Sequence, residues 1–340
     1  MKYHLLSAAT LFAAAGAWAA TPSLGQRLRT LVADDCIGVA VVTSRGDTIA
    51  VNGDRPFAMQ SVVKFHQAVA LAHILGEKLI DDTVSVAASD LKRDTWSPMR
   101  ARAPQGGYEI SPVGLLDYSL LMSDNNAADI LFNRYASPSV VDSVVRAISP
   151  ARDFAVRRTE AEMHADTSVV KDNWSTPADA ASFINSFFTS DATVGGTIVR
   201  AVMSQPTAFG NTRIVAGIPD GKATVLHKTG TGDIDAAGRP TAVNDVAFVY
   251  YPRPDGTFGY YSLAVFVENF EGSPADAEQR IAAISKEVWE AMLVDDASVA
   301  MRNASAPMAQ PSSTVRDNSS LWEMPIGAAI LGAVLDGMLE

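Results

Sequence analysis

The sequence predicts an α/β (α+β) fold: an antiparallel sheet flanked by helices is formed from both termini, and an all-helical lobe is inserted between its two halves. Three observations predict it. Strand-like runs lie near the start of the chain and again near its end. Helical periodicity dominates the stretch between them. One more amphipathic helix follows the last strand candidate. With 340 residues, 48% of them hydrophobic, the chain can bury a large core in one domain or two interleaved lobes.

Residues 1–20 read as a signal peptide. Lys2 is followed by an apolar run from Leu5 to Ala17. Ala17-Trp18-Ala19 places small residues where a signal peptidase cuts, and Thr21-Pro22 is a mature start. The run falls short of the roughly 20 apolar residues that span a bilayer. A secreted, periplasmic protein without stable membrane insertion is therefore expected. Export implies an oxidising compartment, yet Cys36 is the sole cysteine, so no intramolecular disulfide can form. Cys36 precedes the strand-like run Ile37 to Thr43 and reads as a buried structural thiol, with a nucleophile or ligand as the alternative.

The main domain is expected over 21–295. Its sheet lobe covers about 21–55 and 206–295, and its helical lobe about 56–205. A helix over Leu24 to Val32 leads to strands Ile37 to Thr43 and Asp47 to Val51, divided by the turn residues Ser44-Arg45-Gly46. Helices follow at Val63 to Leu75, Pro112 to Met122, Ala127 to Tyr135, Pro177 to Phe188 and Gly195 to Met203. Strands return at Ala223 to Lys228, Val243 to Tyr251 and Tyr260 to Asn269, the last two joined at Pro254-Asp255-Gly256. A final helix runs from Pro274 to Leu293. Residues 296–340 read as a low-complexity tail: Ser298 to Ser320 is linker-like, and Pro325 to Leu335 is short and apolar.

Charge excludes one class of partner. The formal net charge is -11 and no dense Lys/Arg run occurs, so nucleic acid is not expected to bind. The five histidines show no metal-site spacing, and no metal is expected. A monomer acting on a small molecule is the expected form.

Four short segments carry chemistry. In Ser61-Val62-Val63-Lys64 the hydroxyl and the amine share one helix face, in the positive field of a helix start. Alone this is weak, because a chain of this composition has roughly one such match by chance. Ser123-Asp124-Asn125 lies between two expected helices. A tight turn there aims Ser123 and Asn125 into a cleft while Asp124 bonds local backbone N–H groups; an ordinary Asx turn is the bland alternative. Lys228-Thr229-Gly230-Thr231-Gly232 ends a strand, where Lys228 and the threonine hydroxyls can receive a ligand carboxylate. Arg158-Thr159-Glu160-Ala161-Glu162-Met163-His164 supplies two carboxylates, either of which could be only a solvated loop charge.

In this order and at these separations, the first three segments form the S-x-x-K, S-D-N and K-T-G set of class A β-lactamases and penicillin-binding proteins. From about Thr21 to Asp295 the chain resembles the class A enzymes. It is similar to their extended-spectrum branch of PER and VEB type, which also has Gln before the nucleophile, as Gln60 is here. The resemblance implies the serine β-lactamase and penicillin-binding-protein fold and a hydrolase of penicillins and cephalosporins with Ser61, Lys64, Ser123 and Glu160 as catalytic residues. Glu160 takes the place of the carboxylate that activates the deacylating water, which penicillin-binding enzymes lack; Glu162 is out of register and reads as structural. Asn125, Lys228, Thr229, Gly230, Thr231, Trp96, Arg213 and His164 are the implied substrate-binding set. Trp96 stands for the aromatic gatepost, with ordinary packing as its alternative. Arg213 stands for the arginine behind the carboxylate site, with Arg239 as the alternative. No cofactor is implied.

The chain departs from the family pattern at three places. His164 stands where the water-holding loop usually has Asn. Ala161 replaces a frequent Pro, so a cis bond is less expected. Asn173 stands at the acidic partner's place in the loop's usual Arg–Asp pairing. A D-Ala-D-Ala peptidase and a β-lactam sensor that stays acylated are the competing readings. The first is opposed by Glu160.

Overall fold

The computed structural model describes residues 22–32, 35–207 and 209–305, with side chains up to residue 297. In chain order, α1 is Leu24–Leu31, β1 Ile37–Thr43, β2 Thr48–Val51 and β3 Phe57–Ala58; a 3-10 turn over Gln60–Val62 then opens α2, Val63–Leu75. Next come α3 Lys78–Asp81, β4 Val84–Ala87, α4 Pro98–Arg102, β5 Gly106–Ile110, α5 Pro112–Leu121, α6 Asn125–Arg134 and α7 Pro138–Ile148. They are followed by β6 Phe154–Ala155, α8 Glu160–Ala165, β7 Trp174–Ser175, α9 Pro177–Ser190 and α10 Val194–Met203. The chain closes with β8 Thr224–Thr231, β9 Ala242–Pro252, β10 Phe258–Glu268 and α11 Pro274–Ser305.

The main sheet has the order β2-β1-β10-β9-β8, and every pairing is antiparallel. It is built from both ends of the chain, as expected. β1 has no polar face to turn outward, and all seven of its residues are buried. Ile37, Val39 and Val41 join one core with Leu28 of α1 and Ile281, Ile284 and Val288 of α11. Ala40 and Val42 join a second core with α2 and α9, including Phe65, Phe183 and Phe187. The sheet therefore sits between two apolar layers, and the period-2 alternation of β1 feeds both.

At the centre of the helical lobe lies α2. It is mostly apolar, and Val63 through Ala72 are buried without a break, Lys64, His66 and Gln67 included. Side-chain caps start its neighbours: Ser111 accepts the amide of Gly114 at 3.2 Å, Thr176 that of Asp179 at 3.2 Å and Thr193 that of Gly196 at 2.9 Å.

The structure corrects the sequence reading in several places. The inserted lobe is not all-helical: β4 pairs with β5, and β3, β7 and β6 form a small sheet. Strands this short cannot show a period. Within it, α9 packs on the inner face of the main sheet rather than among the helices alone. α7 was not anticipated. Continuing to Ser305, α11 replaces the first residues of the expected linker, because 294–305 contains neither Gly nor Pro. Cys36 is half-buried rather than buried, and packs on the outer core. The rest of the tail and the signal-peptide segment lie outside the described residues. Among the described residues, no helix is long and apolar enough to cross a membrane.

One core residue carries a pH-dependent cost. Asp117 of α5 is buried, and neither carboxylate oxygen has a hydrogen-bond partner. Burial pushes its carboxyl up to about 7. The folded state therefore loses stability as pH rises from the unfolded pKa near 4 through 7, approaching a loss of about 4 kcal/mol. Asp117→Asn removes that ionisation. It is expected to raise Tm at pH 8 and to do much less at pH 4; an equal gain at both pH values would contradict the assignment. Asp129, which is pushed up to about 7 as well, keeps part of the slope in the variant.

Candidate active site

The 3-10 turn at Gln60–Val62 passes directly into α2, so Ser61 stands at the start of the most buried helix. Lys64 follows one turn later with no exposed surface. A buried ammonium must find oxygen partners, and Lys64 does. Its Nζ donates to Ser61 Oγ at 3.0 Å, to the Ser123 carbonyl at 2.8 Å and to Asn125 Oδ1 at 2.6 Å. Those three bonds use its three protons. Glu160 Oε1 lies 3.2 Å away as an ion pair, and that buried oxygen accepts no hydrogen bond from the protein.

The Ser123 turn is fixed from beneath. Asp124 caps α6 by accepting the Ala127 amide at 2.9 Å, and it also accepts the Met99 amide at 2.7 Å and the Ser97 hydroxyl at 2.9 Å. This is the inward-facing role expected of it. Ser123 is held at φ 54°, a conformation uncommon outside Gly. Its hydroxyl accepts from Lys228 Nζ at 3.0 Å. Asn125 donates through Nδ2 to Thr95 Oγ1 at 2.8 Å.

β8 brings the third segment against the nucleophile turn. The approach is close at Gly230, where a Cβ would lie 2.4 Å from the Met59 carbonyl oxygen, so only Gly fits. Lys228 is buried on the cleft side. Burial, reinforced by the nearby Lys64 ammonium, holds its amine well below the usual lysine range. A ligand carboxylate would reverse that penalty. Arg213 is buried on the opposite side of the strand, donating to Thr231 Oγ1 at 2.8 Å and to the carbonyls of Gly230 at 3.1 Å and Asn244 at 2.8 Å. Arg239 is instead occupied by Asp235 and Glu271 at the surface.

Glu160 sits in the first turn of α8, a helix where the sequence suggested only loop. A capping box starts it: Thr159 Oγ1 accepts the Glu162 amide at 3.2 Å, and Glu162 Oε2 accepts the Thr159 amide at 2.8 Å. Glu162 is thereby accounted for as structural. The Arg–Asp pair forms after all, one residue earlier than expected: Arg158 Nε meets Asp172 Oδ2 at 2.7 Å. Buried Asn173 holds the loop's neck through backbone groups, accepting the amides of Arg157 at 2.7 Å and Arg158 at 2.9 Å. Among the described residues, no peptide bond is cis.

Ser61, Lys64, Ser123, Asn125, Glu160 and Lys228 therefore meet in one chain of contacts, with Thr229, Gly230 and Thr231 on the adjoining strand. Trp96 is 56% exposed and anchored by its indole N–H to the Met122 carbonyl at 2.9 Å. It is thus a rim residue rather than core packing. His164 is not brought in. It lies half-exposed in the last turn of α8, with Nε2 3.4 Å from Asp94.

Asp129 was missed. Its carboxylate accepts the amides of Glu160 at 2.8 Å and Ala161 at 2.9 Å, tying the start of α8 to α6. Burial and the adjacent Glu160 charge push it up to about 7. Its sequence signal is a position four residues after Asn125, hence on the same helix face. Also missed was a buried pair beneath β8, where His227 Nδ1 and Asp245 Oδ1 lie 2.9 Å apart.

A serine hydroxyl, a buried amine and a carboxylate, joined between an antiparallel sheet and a helical lobe, define a serine hydrolase. Comparison with known proteins makes it specific. The profile of the beta-lactamase enzyme family matches residues 23–292. A beta-lactamase of Phocaeicola vulgatus is 34% identical over 263 residues, 76% of this chain and 80% of that protein. The extended-spectrum beta-lactamase PER-1 of Pseudomonas aeruginosa is 31% identical over 287 residues, 80% of this chain and 88% of that protein. The crystal structure of a class A beta-lactamase from Bacteroides cellulosilyticus aligns with TM-score 0.73 at 30% identity, covering 80% of this chain and 98% of that one. The chain belongs to the beta-lactamase family, as a class A serine β-lactamase.

Proposed function

We propose that the exported enzyme hydrolyses the β-lactam amide of penicillins and cephalosporins through an ester on Ser61. One observation carries this reading: Lys64 Nζ touches the nucleophile Ser61 and the carboxylate Glu160 at once. The substrate carboxylate docks on Lys228, Thr229 and Thr231. Arg213 acts on it through the Thr231 hydroxyl. Asn125 takes the side-chain amide, and the backbone N–H groups of Ser61 and Thr231 take the carbonyl oxygen as charge develops.

Ser61 attacks as its proton passes to Lys64, which takes part in this step as the amine and not as the three-proton donor of the resting site. The new C–O bond forms as the ring C–N bond breaks. Ser123, whose hydroxyl bonds Lys228 Nζ and whose carbonyl bonds Lys64 Nζ, hands its proton to the departing nitrogen and takes one back from Lys64, which returns to the amine. Water then attacks the ester, and Glu160 Oε1 takes its proton. The ester C–O bond breaks and Ser61 leaves, taking back the proton held by Glu160, so one water is added across the amide overall. No cofactor enters.

Steady hydrolysis of nitrocefin well beyond one equivalent is the expected result with purified mature protein. A burst of one equivalent followed by silence would contradict the proposal and favour an acylated peptidase or sensor. The spectrum proposed is extended to oxyimino-cephalosporins. Gln60 and Gly232 support it: a Cβ on Gly232 would stand 3.0 Å from Gln60 Nε2, so the small residue makes room for the amide at the strand's end. Hydrolysis of ceftazidime checks this.

A further inference from the structure

Thr207 and residues 209–213 touch the two sides of the cleft. At one end Thr207 Oγ1 donates to the Leu121 carbonyl at 2.7 Å, just before the Ser123 turn. At the other end Gly210 lies flat on β8, where a Cβ would come within 2.4 Å of Thr229 Cγ2. Arg213 then reaches Thr231. Phe209 stands between these anchors, and its amide donates to Thr207 Oγ1 at 3.1 Å. Its ring meets Trp96 edge-to-face, with centroids 5.9 Å apart and planes at 77°. Trp96 cannot readily swing away, because its indole N–H is bonded to the Met122 carbonyl. The two rings form an aromatic corner anchored next to the Ser123 turn through Met122 and next to β8 through Gly210.

We propose that Phe209 is a specificity-determining residue that selects cephalosporins carrying a planar cationic aromatic group at C3. This rests on the assignment of the substrate carboxylate to Lys228, Thr229 and Thr231. In a cephalosporin the carboxylate-bearing carbon is bonded to C3, at the end of the bicycle remote from the amide that Asn125 holds. A carboxylate on β8 therefore places the C3 group beside Gly210 and Phe209. A flat cation there gains the negative face of an aromatic ring, while the substrate's own carboxylate covers Lys228. Penicillins have only methyl groups at that end and gain nothing from the corner.

Cephaloridine and cephalothin test this, since they share one acyl side chain and differ only at C3, pyridiniummethyl against acetoxymethyl. Phe209→Ala is expected to lower the cephaloridine-to-cephalothin ratio of kcat/KM by about tenfold, the scale of a desolvated cation–π contact. Phe209→Tyr, which keeps the ring, is expected to retain the ratio. An unchanged ratio in Phe209→Ala, or an equal loss in both variants, would overturn the inference. A wild-type protein that hydrolyses neither drug would instead overturn the site assignment beneath it.

Discussion

Glu160→Ala is expected to convert the enzyme from a catalyst into a stoichiometric trap. On the proposed mechanism acylation uses the Ser61 hydroxyl, Lys64 Nζ 3.0 Å away and the Ser123–Lys228 contact, none of which passes through Glu160. Deacylation has no such reserve. Glu162 is turned outward into its capping box, and His164 lies against Asp94. Asp129 is already committed to the amides of Glu160 and Ala161. Turnover should fall by about 10²–10⁴, the usual contribution of a general base. The variant should fold, since the like-charge pressure of Glu160 on Asp129 is relieved rather than created. Intact-protein mass spectrometry after mixing with benzylpenicillin should show one drug mass retained for minutes. Rapid return to the unmodified mass would remove Glu160 from the deacylation step.

The residues in that argument were not equally legible in the sequence. Ser61, Lys64, Ser123 and Lys228 stand in motifs whose geometry is set by local backbone: one helical turn, one tight turn, one strand end. Helix period or strand alternation places them with no knowledge of distant contacts. The inner role of Asp124 followed in the same way. Asp129 was different. Its function exists only because α8 docks on α6, a contact that no local pattern encodes. His164 is i+4 to Glu160 and so shares its face of α8, but it stands in the helix's last turn, where the side chain is half-exposed and pairs with Asp94, a long-range contact that spacing does not encode. Choosing between Arg213 and Arg239 depended on burial, which spacing does not reveal. α7 could have been found: Val141, Val144, Val145 and Ile148 follow a helical period behind Pro138. The contacts of Thr207 with Leu121 and of Gly210 with β8 were beyond reach, because both are long-range.

Lys64→Met should separate what the amine does for chemistry from what it does for the fold. Methionine keeps the length of the chain and discards the charge. Ser61 then loses its proton acceptor, and acylation by nitrocefin is expected to slow by about 10²–10⁴. Stability should suffer as well. Glu160, only 8% exposed, is left as a buried carboxylate without its counter-ion. The Ser123 carbonyl loses its donor in a turn already held at φ 54°. Breaking a buried pair from one side costs about 3–5 kcal/mol, most of it from the stranded charge. The double variant Lys64→Met/Glu160→Gln removes that charge and should recover most of the lost Tm. It should recover none of the acylation, because the acceptor for the Ser61 proton is still missing. Unfolding curves for the two variants, set beside their rates of adduct formation, decide the matter. If the double variant regained acylation, a route other than Lys64 would be taking the proton. If it failed to regain stability, the Lys64–Glu160 pair would not be what holds this part of the fold together.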